Sequence, residues 1–171
     1  MLSRGADMLF ELKNVFQNEG EEKQINYKLD MADINIDGVY PFKTPVDVIV
    51  TAKNRASLIT LYFELCFEYT RNCDRCGEEY TKRMNMKFVH KLAQTLADDG
   101  NDEYIETPDF TLELDDVVIS DILLSLPSKN LCREDCKGLC QNCGQNLNNG
   151  ECSCDKRQID PRLEILKQFM N

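Results

Sequence analysis

Apolar and polar residues alternate with period two through most of the first 115 residues. Residues 45–52 put Val46, Val48 and Val50 on one face, and residues 61–69 put Leu61, Phe63, Leu65, Phe67 and Tyr69 on one face with Glu64 and Glu68 opposite. Alternation of that length predicts half-buried strands, because successive side chains of an extended chain point to opposite sides. The intervening Lys53-Asn54-Arg55-Ala56-Ser57 has turn character, so the two runs predict an antiparallel hairpin. Residues 80–89 predict a third strand with Tyr80, Met84, Met86 and Phe88 on one face. Lys82 interrupts that face, as a side chain that snorkels from a strand end would. Residues 23–29 and 109–114 are further strand candidates, the latter with Phe110, Leu112 and Leu114 on one side, and Asp98-Asp99-Gly100-Asn101 marks a loop within 97–101.

The period changes to 3.6 in residues 117–126, where Val118, Ile119, Ile122, Leu123 and Leu126 predict a helix capped by Asp115 or Asp116 and ended by Pro127. A second helix is expected after Asp160-Pro161, carrying Leu163, Leu166, Phe169 and Met170. The stretch between them, residues 129–155, has almost no strand or helix pattern. The expected architecture is α+β: an antiparallel β-rich domain over residues 1–128 and a cysteine-rich segment with a terminal helix over residues 129–171.

At 171 residues with 42% hydrophobic content the chain has enough apolar material for one packed core. The longest apolar runs, Val48-Ile49-Val50 and Ile122-Leu123-Leu124, fall far below the ~20 residues of a membrane span. The N-terminal stretch carries Arg4, Asp7 and Glu11 and lacks the apolar core of a secretory signal. The expected compartment is therefore a reducing cytoplasm, where nine cysteines point to metal rather than disulfides.

The net charge of −10 belongs to one segment. Residues 92–128 hold ten acids and no Lys or Arg, and the other 134 residues are formally neutral. Within that remainder Arg71, Arg75, Lys82, Arg83 and Lys87 form a modest basic strip, a candidate for contact with RNA phosphate. A solvated charged hairpin is the plainer account of the same residues.

The cysteines supply the strongest chemical signal. Cys73-Asp74-Arg75-Cys76-Gly77 and Cys140-Gln141-Asn142-Cys143-Gly144 each have the form of a knuckle, two thiolates on one side of a tight turn that glycine permits. Cys132 with Cys136 and Cys152 with Cys154 add two looser pairs. Eight thiolates suit two closed tetrahedral sites, and thiolate-only sites of that kind favour zinc or iron–sulfur, with two Zn2+ the leading expectation. In the favoured pairing Cys140, Cys143, Cys152 and Cys154 close locally while Cys73 and Cys76 join Cys132 and Cys136. The alternative places Cys132 and Cys136 with Cys140 and Cys143. Two zinc ions on eight thiolates would deepen the charge to about −14, and Arg75, Arg133 and Lys137 stand close enough in sequence to neutralise the sulfurs. Cys66 is the leftover ninth, and His90, the single histidine, is assigned a structural or surface role.

Other chemistries fit poorly. Cys136-x3-Cys140-x2-Cys143 has the spacing of radical enzymes that use S-adenosylmethionine, but the chain is too short for their barrel. No H-E-x-x-H, no deaminase H-x-E and no phosphate loop occurs. A thioredoxin-type pair would sit at a strand-to-helix junction, whereas Cys73 and Cys76 fall between strands.

The run from Cys132 to Asn148, Cys152-x-Cys154 and Asp160-Pro161-Arg162 resemble the C-terminal signature of the bacterial YceD family. Cys73-x-Arg75-Cys76 is similar to that family's other motif, and residues 122–127 to its L-L-x-L-P element. The resemblance implies a role in accumulation or processing of large-subunit ribosomal RNA and supplies no catalytic residues. It also implies that Cys140 to Cys154 is a separable module. The expectation is a non-enzymatic assembly factor that partners ribosomal RNA or a large-subunit ribosomal protein, with no membrane and no small-molecule substrate. A thiol–zinc redox switch or a protein-interaction module is the competing class.

Overall fold

A computed structural model describes residues 8–95 and 103–154. In chain order these form β1 (Leu9–Glu11), α1 (Lys13–Gln17), β2 (Glu22–Leu29), β3 (Val46–Arg55), β4 (Leu58–Asn72), β5 (Glu79–Ala93), β6 (Tyr104–Glu106), β7 (Thr111–Glu113) and α2 (Leu114–Ser125). The expected loop at 97–101 and the expected helix after Asp160 lie outside the described residues. No helix among the described residues is long and apolar enough to cross a membrane.

Five strands make one sheet in the order β2-β3-β4-β5-β6, antiparallel except for the parallel β5–β6 pair, and β1 pairs with β7 as a separate antiparallel ribbon. With α1 and α2 this is the expected α+β class. The long alternating runs account for the sheet. Val46, Val48, Val50 and Ala52 of β3 and Leu61, Phe63, Leu65, Phe67 and Tyr69 of β4 are all buried on one face. Phe10, Leu12 and Val15 from the N-terminal segment, Met31 and Phe42 from the β2–β3 connection, and Val118 and Ile122 from α2 complete the same core. The opposite face stays open to solvent and carries cross-strand ion pairs, Lys87–Glu64 at 2.7 Å and Lys28–Asp47 at 3.0 Å.

Several boundaries differ from the periodicity. β3 and β4 run on to a two-residue connection, Ala56-Ser57, with φ of 51° and 63°, the left-handed pair that matches the twist of a tight hairpin. Residues 109–114 do not form one strand. Phe110 turns back at φ 56°, its N–H donates to the Thr107 carbonyl, and Leu114 is already helical. Neither Asp115 nor Asp116 caps α2, because the helix starts earlier, behind Glu113; both acids lie in its first turn, where their charge complements the helix dipole. The Asp115 carboxylate also accepts the Met8 N–H at 3.3 Å and so ties the start of β1 to α2.

His90 lies on the inner face of β5. Its Nε2 is 2.8 Å from the Asp121 carboxylate of α2, and its ring stands edge-on to Phe63 at 5.6 Å, a structural position between sheet and helix.

Phe63, 1% exposed at the centre of the core, should cost about 3–5 kcal/mol on truncation to alanine. Val89→Ala, at a side chain 60% exposed on the open face, should change stability by no more than about 0.5 kcal/mol. Denaturant unfolding followed by circular dichroism measures both, and equal losses would contradict the assignment of faces.

Candidate metal centres

β4 and β5 are long enough that the knuckle becomes their hairpin tip. The ladder closes at Asn72 opposite Glu79, and Asn72 Nδ2 donates to the Gly77 carbonyl at 3.1 Å. Inside the tip the Cys73 N–H donates to the Glu78 carbonyl at 2.9 Å and the Gly77 N–H to the Cys73 carbonyl at 2.8 Å. The second knuckle repeats this pattern: Cys140 N–H to the Gln145 carbonyl at 2.8 Å and Gly144 N–H to the Cys140 carbonyl at 2.9 Å. The glycines match as well, with φ of 73° at Gly77 and 72° at Gly144, a conformation that side-chain-bearing residues rarely adopt.

Past α2 the chain returns to the first knuckle. The Asp74 N–H donates to the Asn130 carbonyl and the Asn130 N–H to an Asp74 carboxylate oxygen, both at 2.7 Å. This reciprocal pair delivers Cys132 and Cys136. Cys73 Sγ lies 3.7 Å from Cys136 Sγ, and Cys76 Sγ 3.8 Å from Cys132 Sγ. Gly138 then passes against the knuckle: a Cβ there would stand 3.0 Å from the Arg75 carbonyl, which also accepts the Leu139 N–H.

All four sulfurs of Cys73, Cys76, Cys132 and Cys136 fall within 4.8 Å of one another, as do those of Cys140, Cys143, Cys152 and Cys154. That is the grouping in which the tail's first pair returns to the hairpin. An ion bound by four sulfurs at about 2.3 Å sits in a tetrahedron with edges of about 3.8 Å, so the spacing in the first group suits one ion. In the second group Cys152 and Cys140 approach to 3.4 Å. All nine cysteines are free thiols; Cys66 joins neither group and accepts a hydrogen bond from Arg83 Nε at 3.1 Å. The first group is mostly buried, backed by Tyr80 and Leu131, while the second is half-exposed with Cys143 open to solvent.

The surroundings favour thiolate at selected positions. Burial pushes the Cys73 thiol up, but N–H groups of Cys132, Cys76 and Arg75 outweigh it and bring it down to about 6. The N–H groups of Cys143 and Asn142 bring Cys140 to about 6. Burial and the neighbouring sulfurs push Cys132 up to about 12, and the sulfurs of the second group, Cys143 first, do the same to Cys154. Four thiols this close cannot all ionise by themselves; a bound dication removes that repulsion.

Arg75 and Arg133 hydrogen-bond to oxygens near the sulfurs. Arg75 Nη1 donates to the carbonyls of Cys136 at 2.9 Å and Glu134 at 3.3 Å, so it braces backbone. Arg133 bonds Asp135 and Asn148. Asn148 donates a side-chain hydrogen bond to a sulfur of the first group: its Nδ2 lies 3.2 Å from Cys136 Sγ and is the chief cause of that thiol's lowered pKa. Its Oδ1 accepts from Arg133 and from the Lys137 N–H, both at 2.8 Å. Asn148 belongs to the loop of the second group and serves a ligand of the first. Nothing in its sequence context distinguishes it from Asn146 or Asn149; only the folded return of the loop does.

The basic strip divides in three dimensions. Arg71 is buried, with Nη1 on the Ile36 carbonyl at 2.7 Å and Nη2 on Asp37 at 3.2 Å. Arg83 and Lys87 point to the open face of the sheet, where Lys87 pairs with Glu64, whereas Lys82 lies on the opposite face. The five residues thus share no single surface.

A sheet whose hairpin tip and tail together build one four-cysteine group, with a second four-cysteine group in the tail, defines a scaffold for candidate metal sites. A family profile described as "Large ribosomal RNA subunit accumulation protein YceD" matches residues 61–170, from β4 through both cysteine groups, and the chain belongs to the YceD family. A chloroplastic YCED homolog 1 of Arabidopsis thaliana, whose name carries the same description, is 27% identical over 151 residues, 71% of this chain and 47% of that protein. Uncharacterized proteins of Mycobacterium tuberculosis and Mycobacterium bovis are 33% identical over 102 residues, 57% of this chain and 49% of theirs. The chain spans about half the length of these curated relatives. No solved structure matches it.

Asn148→Ala should weaken metal retention in the first group by about tenfold or more while both groups still fill at saturation. Competition against a chromophoric chelator reads the two ions, and an unchanged profile would refute the role given to this amide.

Proposed function

We propose that this chain is a non-enzymatic zinc-binding factor in the accumulation of large-subunit ribosomal RNA, acting in the cytoplasm through contact with that RNA or a large-subunit ribosomal protein. The observation that carries the reading is the family match, which spans both cysteine groups and is described by that role. Four sulfurs in each group fill a tetrahedral ion, leaving no position for substrate or activated water, as in zinc sites that hold structure. A cluster of several irons would spread its cysteines wider than the 3.7–3.8 Å separations of the first group, which supports zinc. The domain division near residue 128 then has a physical meaning: the tail is a separate segment joined to the sheet by an ion with two ligands from each side.

Two zinc ions per chain are expected by elemental analysis of protein purified without added metal. Their removal by a strong chelator should make residues 127–154 protease-sensitive while the sheet core persists; a tail that resists protease without metal would contradict the structural role. Pull-down from lysate with and without nuclease tests the biological reading. Recovery of large-subunit ribosomal RNA that nuclease abolishes supports RNA contact, nuclease-resistant recovery of a large-subunit ribosomal protein supports protein contact, and recovery of neither refutes the role.

A further inference from the structure

In β5, Lys82 stands directly across from buried Tyr69, on the face that also carries Tyr80, Met84, Met86 and Phe88, and it remains exposed. It opens onto a cavity of about 430 Å3 between the β4–β5 end of the sheet and the segment that follows α2. The floor and walls include Tyr80, Met84, Pro127 and Leu131, and Cys132 of the first sulfur group is part of the lining. Tyr80 and Leu131 also pack against Cys73, Cys76 and Cys136, so the cysteine cluster backs this apolar surface.

The rim is cationic. Lys82, Lys129 and Arg133 face a single acid, Glu134, in a chain whose overall charge is −10. Lys28, Lys43, Lys53, Lys87 and Lys91 each pair with a carboxylate, whereas Lys82 and Lys129, like Lys13, Lys23 and Lys137 elsewhere, make no ion pair among the described residues; Lys82 and Lys129 are the two of these that line the cavity. Two exposed cations beside a half-buried tyrosine and an apolar wall are the elements that bind a single strand of nucleic acid: phosphate on the lysines, a base on the aromatic and apolar surface. The volume suits one nucleotide and is far too small for a duplex, whose recognition needs a broad surface.

We propose that this cavity binds an unpaired nucleotide of RNA, with Lys82 and Lys129 on its phosphates and the wall formed by Tyr80 and Met84 against its base. The inference rests on the RNA role proposed above and gives it a place on the molecule. The open sheet face with Arg83 and Lys87 is then not the RNA surface.

The test uses the full zinc-loaded chain and fluorescence anisotropy with a labelled ten-nucleotide single-stranded RNA of mixed sequence, a hairpin RNA and large-subunit ribosomal RNA as competitor. The double variant Lys82→Glu/Lys129→Glu should bind the single strand at least about tenfold more weakly, with the log–log salt slope shallower by about 1.4 for two lost phosphate contacts. Tyr80→Leu should lose about fivefold or more. Lys28→Glu/Lys87→Glu makes the same charge change on the open face and should stay within about twofold of wild type. Zinc content and circular dichroism confirm that each variant is folded, and the exposed lysine variants carry the test if Tyr80→Leu is not. Loss in the open-face variant with none in the cavity variant would overturn the cavity and leave the RNA role standing. Preference for the hairpin would overturn the unpaired-nucleotide assignment. Wild-type protein that binds none of the three RNAs would overturn both.

Discussion

The convergence of four sulfurs from two distant stretches of chain is the constraint on which the rest of the structure depends. Cys76 and Cys132 are 56 residues apart and stand 3.8 Å from one another at their sulfurs. Residues 127–154 have little apolar surface to bury, Cys136 being their buried contribution, so burial alone cannot order them. Closing so long a connection costs entropy that grows only slowly with length, and an ion bound by four thiolates contributes on the order of 10 kcal/mol or more, enough to offset it. The reciprocal Asp74–Asn130 hydrogen bonds and the Arg75 contacts to tail carbonyls then set the register of the return. With the tail seated, Asn148 reaches Cys136, and the segment after α2 becomes one wall of a cavity whose other wall is the sheet.

The three central strands, β3, β4 and β5, were legible in the chain because each runs for ten or more residues with alternating faces, long enough that no other period fits. The short elements were not. β1 and β6 are three residues each and α1 is five, below the length at which a period can be read. The start of α2 was misjudged because Leu114 satisfies both the strand face of residues 110–114 and the helical stripe. The turn at Phe110, which depends on the Thr107 carbonyl, decides between them. Close pairing in sequence, two knuckles and two looser pairs, identified all eight sulfurs that the structure gathers, since spacing within each pair is a property of sequence. Their grouping into two sets was favoured by the short span from Cys140 to Cys154, but the competing pairing stayed open because the choice depends on how the chain after α2 returns to the hairpin.

Charge was the least readable property. Arg71 looks like a surface base beside a knuckle, yet its guanidinium is inside, on a carbonyl 35 residues away in the β2–β3 connection. Arg75 and Arg133 are adjacent to cysteines but hold backbone and amide oxygens. What remains is a division of labour among bases of similar appearance: some brace the fold, some pair across the open sheet, and two stand at a cavity with no ion pair among the described residues. Ten acids in residues 92–128 set the sign of the whole molecule without setting the sign at that cavity.

The proposed ion of the first group joins the hairpin tip to the tail. Replacing the native metal with spin-active cadmium and following its through-bond coupling to the cysteine β-protons assigns every ligand. Two resonances are expected, one coupled to Cys73, Cys76, Cys132 and Cys136 and the other to Cys140, Cys143, Cys152 and Cys154. A resonance that couples Cys132 and Cys136 to Cys140 and Cys143 would contradict the account, because the hairpin and the tail would then share no ion.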